Sequence, residues 1–578
     1  MFYVSYIRNK DEKFILDSSV SKREVPSHLS LSKDGRSFCV GCSMDVTPEK
    51  LFASDWETNP ALLNESRSAL YIVRYDEGGC TFATDNSGRE LLFYYHDDRR
   101  LVLSDSFWGI LKVIEPTYDD LDFEVIAEMI ASAGGVPCDN STPIKGLCWL
   151  PVNTICSFDA HTGSFSKRVY ADTKRTCEIT SLDVAVESFD RCMCEMAAFL
   201  AEEHKGEKFG LGLSGGLDSR VALHYLENAG IRPTAFNLCV TRPHKLFLAT
   251  SVLNARSLAR AAHADYREVE WRPESVRAKM DAMLIHNPLG TCGHYTNAYK
   301  YETQGLPEFD VLVTAGQAIG PNLVGGTVVS NADTMSKEEV FDCLYTICTG
   351  DVLPYAYTEG LIRGKFNAKG DGANHEAWEE IITPAVTNSI ARRIRSFIDD
   401  RYRRGFTAAD TLMDYRTSAL GAIGRDGAYE SLFGTKRSYT IYTPFLVREG
   451  LKWDVPLVKE RLVLKELIKH KIPEFTEVGE ETYGGLDTSS KLRGGLGKLI
   501  FLLRGSGIMA QEWHARHPAI RKAFLEDMTS QCEWFFAMFP SAEKYEKVWR
   551  MSPSRRNSVW ELKRLVDCIE TKRYLSFE

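Results

Sequence analysis

Residues 209–222 read FGLGLSGGLDSRVA, an apolar strand-like run that breaks into Ser214-Gly215-Gly216-Leu217-Asp218-Ser219 and then enters helix-favouring sequence. Two adjacent glycines let the backbone turn tightly and approach a ligand without a Cβ in the way. The flanking hydroxyls of Ser214 and Ser219, with the exposed N–H groups of a helix start, form an anion cradle that suits a polyphosphate. Asp218 inside that cradle repels a bare phosphate, so its natural role is a carboxylate ligand for the magnesium ion that travels with ATP. No Lys follows the glycines, so this is not a GxxxxGK[ST] loop. The plain alternative is a Gly-Ser turn with no ligand, but such a turn has no need of the central Asp.

Around this loop, strand and helix patterns alternate. Val184 to Glu202 has helical spacing before the strand at 209–213, and Thr234 to Leu238 predicts a second strand. Ala255 to Ala264 reads as a helix, Tyr266 to Trp271 as a third strand and Val311 to Thr314 as a fourth. This alternation predicts βαβ units and a parallel sheet. The loop then sits at a strand's C-terminal end, where open α/β sheets place ligands.

Residues 1–170 differ, with short β-rich runs at Ala69–Tyr75, Gly79–Thr84, Leu91–Tyr95 and Leu101–Ser104. Leu121 to Gly134 has helical spacing. The pattern changes near 175–185, is mainly helical from 335 to 475, and continues as helical sequence with several Trp and Phe from 495 to 578. The expected fold class is α/β: a mostly β N-terminal domain (1–175), a parallel-sheet domain (176–495) and a helical C-terminal extension (496–578). Ala391 to Gly405 carries Arg392, Arg393, Arg395, Arg401, Arg403 and Arg404. We read it as a solvated helix face with Ile394, Phe397 and Ile398 turned inward, in preference to a site for an anionic substrate.

A length of 578 residues suggests two to four domains. The formal net charge of −9 supplies no global basic field to recruit nucleic acid or an anionic membrane. With no apolar signal-type segment in the first thirty residues and no long apolar run, the expected location is the cytoplasm. Fifteen cysteines without a framework spacing read as reduced thiols. Cys39 and Cys42, and Cys192 and Cys194, form close pairs, but neither has a matching partner pair at zinc-site spacing.

SGGLDS in its strand–loop–helix context resembles the PP-loop of the N-type ATP pyrophosphatases, and specifically the class B asparagine synthetases with the related β-lactam synthetases and lasso-peptide cyclases. The resemblance extends to TFATDNSGRELLFYYHDDRRLVLSDSFWGILKVI and TPIKGLCWLPVNTICSFDAHTG in the N-terminal part, and to Tyr442-Thr443-Pro444-Phe445-Leu446 near the family's active-site floor. It implies an Ntn-hydrolase-like sandwich followed by a doubly wound PP-loop domain. It also implies ATP and magnesium as cofactors: a substrate carboxylate attacks the α-phosphorus of ATP, pyrophosphate leaves, and an amine or ammonia displaces AMP. By this resemblance Leu213, Ser214, Gly215, Gly216, Leu217, Ser219, Leu238 and Gly316 bind the nucleotide, with Asn237 and Gln317 as further hydrogen-bonding candidates. The resemblance also makes Asp218 catalytic and the metal ligand. Leu213 and Leu238 also read as ordinary core strand residues, and both roles are compatible.

Several positions depart from the family pattern. Position 2 is Phe2 where a glutamine-hydrolysing member has Cys, and the Arg-Gly-Pro-Asp segment has no counterpart, so the N-terminal domain is expected to lack glutaminase activity. Gln317 and Asn322 stand where the family places carboxylates, and Val447 replaces an Asp after Pro-Phe-Leu. The family's catalytic Lys aligns near Glu481, with Lys491 in SSKLRGG as the substitute. The leading expectation is an ATP-dependent amide-forming ligase acting on a small-molecule or peptide carboxylate and an amine. The alternative is a catalytically degenerate nucleotide-binding scaffold or partner subunit. Thiolation of tRNA, or NAD or GMP synthesis, fits less well with the acidic balance. Whether the chain forms a dimer, the commonest soluble assembly, stays open.

Overall fold

The computed structural model describes residues 3–9, 13–18, 29–65, 68–88, 90–131, 139–239, 250–270, 276–286, 306–315, 332–349, 384–421, 435–441, 444–458, 462–476, 478, 517–550 and 553–577. The N-terminal part contributes strands β1 (Tyr3–Arg8), β2 (Phe14–Ser18), β3 (Leu29–Leu31), β4 (Ser37–Ser43), β5 (Ser68–Asp76), β6 (Gly79–Thr84), β7 (Phe93–His96), β8 (Arg100–Ser104), β9 (Leu147–Trp149), β10 (Thr154–Asp159) and β11 (Ser164–Val169). They make two antiparallel sheets, in the orders β2-β1-β8-β7-β9 and β11-β10-β6-β5-β4-β3.

Alternation along each strand decides which layer each residue joins. Tyr71, Val73 and Tyr75 of β5 face Leu101, Leu103 and Tyr94 of the other sheet. Leu70 and Ile72 point the opposite way, onto Leu51, Trp56 and Leu63 beside the short helices Pro48–Ala53 and Ala61–Glu65. On the far side, Phe93, Tyr95 and Val102 pack on α1 (Phe107–Ile114) and α2 (Phe123–Ala131). The result is a helix–sheet–sheet–helix stack.

The next part is built on β12 (Phe209–Gly212), β13 (Thr234–Cys239), β14 (Tyr266–Glu270), β15 (Val311–Thr314) and β16 (Arg437–Thr440), with α3 (Leu182–Glu203), α4 (Leu217–Asn228) and α5 (Thr250–Ala261) between or before the strands. The order is β14-β13-β12-β15-β16, and every pairing is parallel. The four strands expected from sequence are present. β16 is a fifth, inside a stretch read as helical, because Arg-Ser-Tyr-Thr is too short and polar to register as a strand.

On one face Leu211, Ala235, Val311 and Val313 meet Phe189, Met193 and Met196 of α3 and Val221 and Ala222 of α4. On the other, Phe236 and Phe309 stack at 5.7 Å beside Leu312. Gly210 lies under that stack, and a Cβ there would sit 2.6 Å from the Phe309 ring.

Beyond the sheet, α6 (Pro384–Arg403), α7 (Ala408–Gly421), α8 (Leu462–Lys471), α9 (Pro518–Thr529) and α10 (Pro553–Glu570) follow. α8 joins the sheet core through Val463, Leu464 and Leu467. The others do not: Ile394, Leu412, Phe524 and Trp560 share one apolar core with Ile126 of α2. Trp108 of α1 donates to the Leu284 carbonyl at 2.8 Å, and its indole stacks on Tyr574 near the C-terminus.

The arginine-rich helix meets the expectation of a solvated face in part: Arg392, Arg395 and Arg403 are exposed. Ile394, Phe397 and Ile398 are buried as expected. Arg393, however, pairs with buried Glu128 of α2 at 2.9 Å, and Arg401 with Asp414 of α7 at 2.8 Å. Glu128 lies far away in sequence and Asp414 on the next helix, so the arginine-rich helix in isolation reads as merely charged. Among the described residues, no helix is long and apolar enough to cross a membrane.

Candidate functional site

β12 occupies the middle of the parallel sheet, with β13 on one side and β15 on the other. Connections diverge from this point, which opens a crevice at the C-terminal edge where open parallel sheets seat ligands. The segment Leu213 to Gly216 leaves β12 there and enters α4.

Gly215 has φ +77°, the left-handed region that favours glycine. Gly216 is the N-cap, at φ −76° and ψ 173°. The loop is laced by its own serines. The Ser214 N–H donates to Ser219 Oγ at 3.2 Å, the two hydroxyl oxygens are 3.2 Å apart, and the Gly216 N–H donates to Ser214 Oγ at 3.3 Å. Ser219 Oγ in turn reaches the Gly216 carbonyl at 3.4 Å. A Cβ on Gly216 would press on Ser214 Oγ at 3.3 Å.

A glycine N-cap brings no side chain over the first turn at the positive end of the helix dipole, where an anion is favoured. Ser214 is exposed and Asp218, in the first turn, is half-buried. These donors fit a polyphosphate. Asp218 fits a magnesium ion whose remaining ligands are phosphate oxygens and water. Among the described residues no group of three or more His, Cys, Asp or Glu gathers as a metal site.

Leu213, Ser214, Gly215, Gly216, Leu217, Asp218 and Ser219 therefore lie together on one loop and helix start. Leu213 is 1% exposed, with its side chain in the sheet core; its N–H donates to the Phe236 carbonyl, and its own carbonyl accepts from Asn237 Nδ2, both at 2.7 Å. Leu217 is likewise part of that core. Asn237, expected to reach the nucleotide, has an amide committed to closing the end of β12. Leu238 is placed on β13, opposite Val269 of β14. Val447 lies on the helix Pro444–Leu451. Phe2, Gly316, Gln317, Asn322, Glu481 and Lys491 lie outside the described residues.

α4 is clasped from behind. Tyr225 donates to Asp190 of α3 at 2.5 Å, and Lys471 of α8 pairs with the same carboxylate at 3.2 Å. His224 meets Glu474 at 3.1 Å. Arg220 donates to three main-chain carbonyls, one of them in the loop. Sequence reasoning passed over Arg220; its signal was a cation immediately after the motif at a position facing the apolar core.

In the N-terminal sandwich the described thiols are not poised as nucleophiles. Burial pushes Cys39 and Cys156 up to about 12 and Cys80 well above its ordinary value. Comparison with protein-family models and with curated proteins returned no match for this chain.

Proposed function

We propose that the chain is an ATP-dependent amide-forming ligase. The observation that carries this reading is the Ser214–Ser219 loop, a left-handed glycine and two bracketing hydroxyls at the crest of the central strand, with an aspartate in the first turn behind it. In this reading the loop amides and hydroxyls hold the β- and γ-phosphates of ATP, and Asp218 holds magnesium, which supplies charge neutralisation on the phosphates. A substrate carboxylate oxygen bonds to the α-phosphorus as the bond to pyrophosphate breaks. An amine or ammonia then attacks the acyl carbon, AMP departs and the amine loses a proton.

The strand order with β12 central supports a doubly wound PP-loop domain over 176–495, with Leu238 and Gly316 near the base and ribose and Lys491 as the charge-stabilising cation. The helix–sheet–sheet–helix stack is similar to an Ntn-hydrolase sandwich. Its raised thiols support a domain over 1–175 that packs against the rest without hydrolysing glutamine. The apolar core shared by α9, α10 and α2 supports a bracing role for the 496–578 extension. A cytoplasmic location and small-molecule or peptide carboxylate and amine substrates belong to the same reading.

Gln317, Asn322 and Val447, neutral where the family carries acids, favour a second reading as a nucleotide-binding scaffold. The two part in one experiment. Purified protein is incubated with Mg-ATP, ammonia and a panel of carboxylates and amines, and AMP and pyrophosphate are followed by phosphorus NMR or mass spectrometry. The ligase reading expects substrate-stimulated AMP and pyrophosphate that vanish in Asp218→Ala. ATP binding without turnover across the panel favours the scaffold.

A further inference from the structure

Arg220 lies in the first turns of α4, directly after the last serine of the loop, and is 1% exposed. A guanidinium at such a site is costly to bury unless its donors are met. One terminal nitrogen donates to the Phe475 carbonyl at 2.9 Å and to the Val478 carbonyl at 2.8 Å. The other donates to the Gly215 carbonyl at 3.3 Å. That last bond acts on the loop itself. In a trans peptide the carbonyl and the following N–H point to opposite sides. With the Gly215 carbonyl drawn inward to Arg220, the Gly216 N–H is turned outward, where exposed Ser214 accepts it at 3.3 Å.

We infer that Arg220 is a positioning residue of the phosphate-binding loop. Its planar fork sets the Gly215–Gly216 peptide so that the amide faces the polyphosphate, and it joins the loop to the Pro473–Phe475 turn and Val478. The inference rests on reading Ser214–Ser219 as the ATP cradle. A lysine cannot reproduce it, since one ammonium on a flexible stem does not span carbonyls on two sides. The rest of the clasp is separate: His224 with Glu474, and Tyr225 and Lys471 with Asp190, still dock α4 when Arg220 is replaced.

The test is calorimetric binding of Mg-ATP and of AMP, which lacks the phosphates the loop would hold, to the full chain as wild type, Arg220→Lys and His224→Ala. Arg220→Gln, with a neutral head that keeps one donor group, is carried alongside so that the comparison stands if lysine unsettles the fold. Melting temperatures are recorded for all. The expected result is Mg-ATP weakened at least about tenfold in the Arg220 variants, AMP held within about twofold, and neither altered in His224→Ala. Equal loss of Mg-ATP and AMP, or no loss of either, overturns the positioning role and leaves the cradle reading intact. A wild-type chain that binds AMP but gains nothing from the added phosphates, or that binds no Mg-ATP, overturns the cradle reading and the inference with it.

Discussion

Asp85 shows what a single buried carboxylate does in the sandwich. It closes the turn after β6, accepting from the Ser87 N–H at 3.0 Å, the Ser87 hydroxyl at 2.8 Å and the Gly88 N–H at 3.2 Å, while its other oxygen accepts from the Leu70 N–H at 3.1 Å. Burial outweighs these bonds and raises its pKa from 3.8 to about 6. The folded state therefore holds the proton more tightly than the unfolded chain. Its contribution is fully present below about pH 4, declines as pH rises to about 6 and is constant beyond. Over that window the local stability of wild type relative to Asp85→Asn is expected to fall by on the order of 3 kcal/mol. Hydrogen exchange of the 68–88 region, corrected for intrinsic rates and compared between pH 4 and 7, reads this out. Parallel pH profiles in the two proteins would assign the titration elsewhere.

At the scale of elements, Gly210 sets how closely the second face of the sheet is covered. Its absent Cβ leaves the space taken by the Phe309 ring, which stacks on Phe236. Gly210→Ala forces that ring to move, an overpacking change expected to cost about 1–3 kcal/mol and to lower the melting temperature. Adding Phe309→Leu should recover part of the loss; a melting temperature unchanged by Gly210→Ala would mean that the ring moves freely. The same elements show which parts of the fold are legible in sequence. β12, β13 and β15 are largely apolar runs, β14 (Tyr-Arg-Glu-Val-Glu) alternates instead, and the loop declares itself through two glycines and an aspartate. β16 does not, since Arg-Ser-Tyr-Thr, paired among the described residues with β15, is short and polar. The role of Asn237 is equally silent, because its amide acts on a main-chain carbonyl, which has no sequence signature, and Arg220 shows only as a cation at a core-facing position.

For the whole molecule, the segment joining the sandwich to the parallel sheet is fixed against α6 and α7 by buried charge. Arg175 and Asp410 pair at 3.0 Å with side chains 3% and 5% exposed, and Asp410 also accepts from the Arg175 N–H at 3.2 Å and the Thr407 hydroxyl at 2.7 Å. Thr173 donates to Asp414, and Arg404 pairs with Asp172. This lacing ties the linker to α6 and α7, and the apolar core running from α2 to α10 joins those helices to the sandwich. Arg175→Met removes one partner of a buried pair and leaves the Asp410 carboxylate buried without its cation, held by the Thr407 hydroxyl and main-chain N–H groups alone, an expected loss of about 3–5 kcal/mol. Pairing it with Asp410→Asn, which takes away the stranded charge, should return a large part of that loss. Because the contact fixes the linker to α7, the single variant should also lower the thermal transition temperature. Differential scanning calorimetry of wild type and the two variants distinguishes the cases: a transition at the wild-type temperature in Arg175→Met would mean that the buried pair adds little to stability.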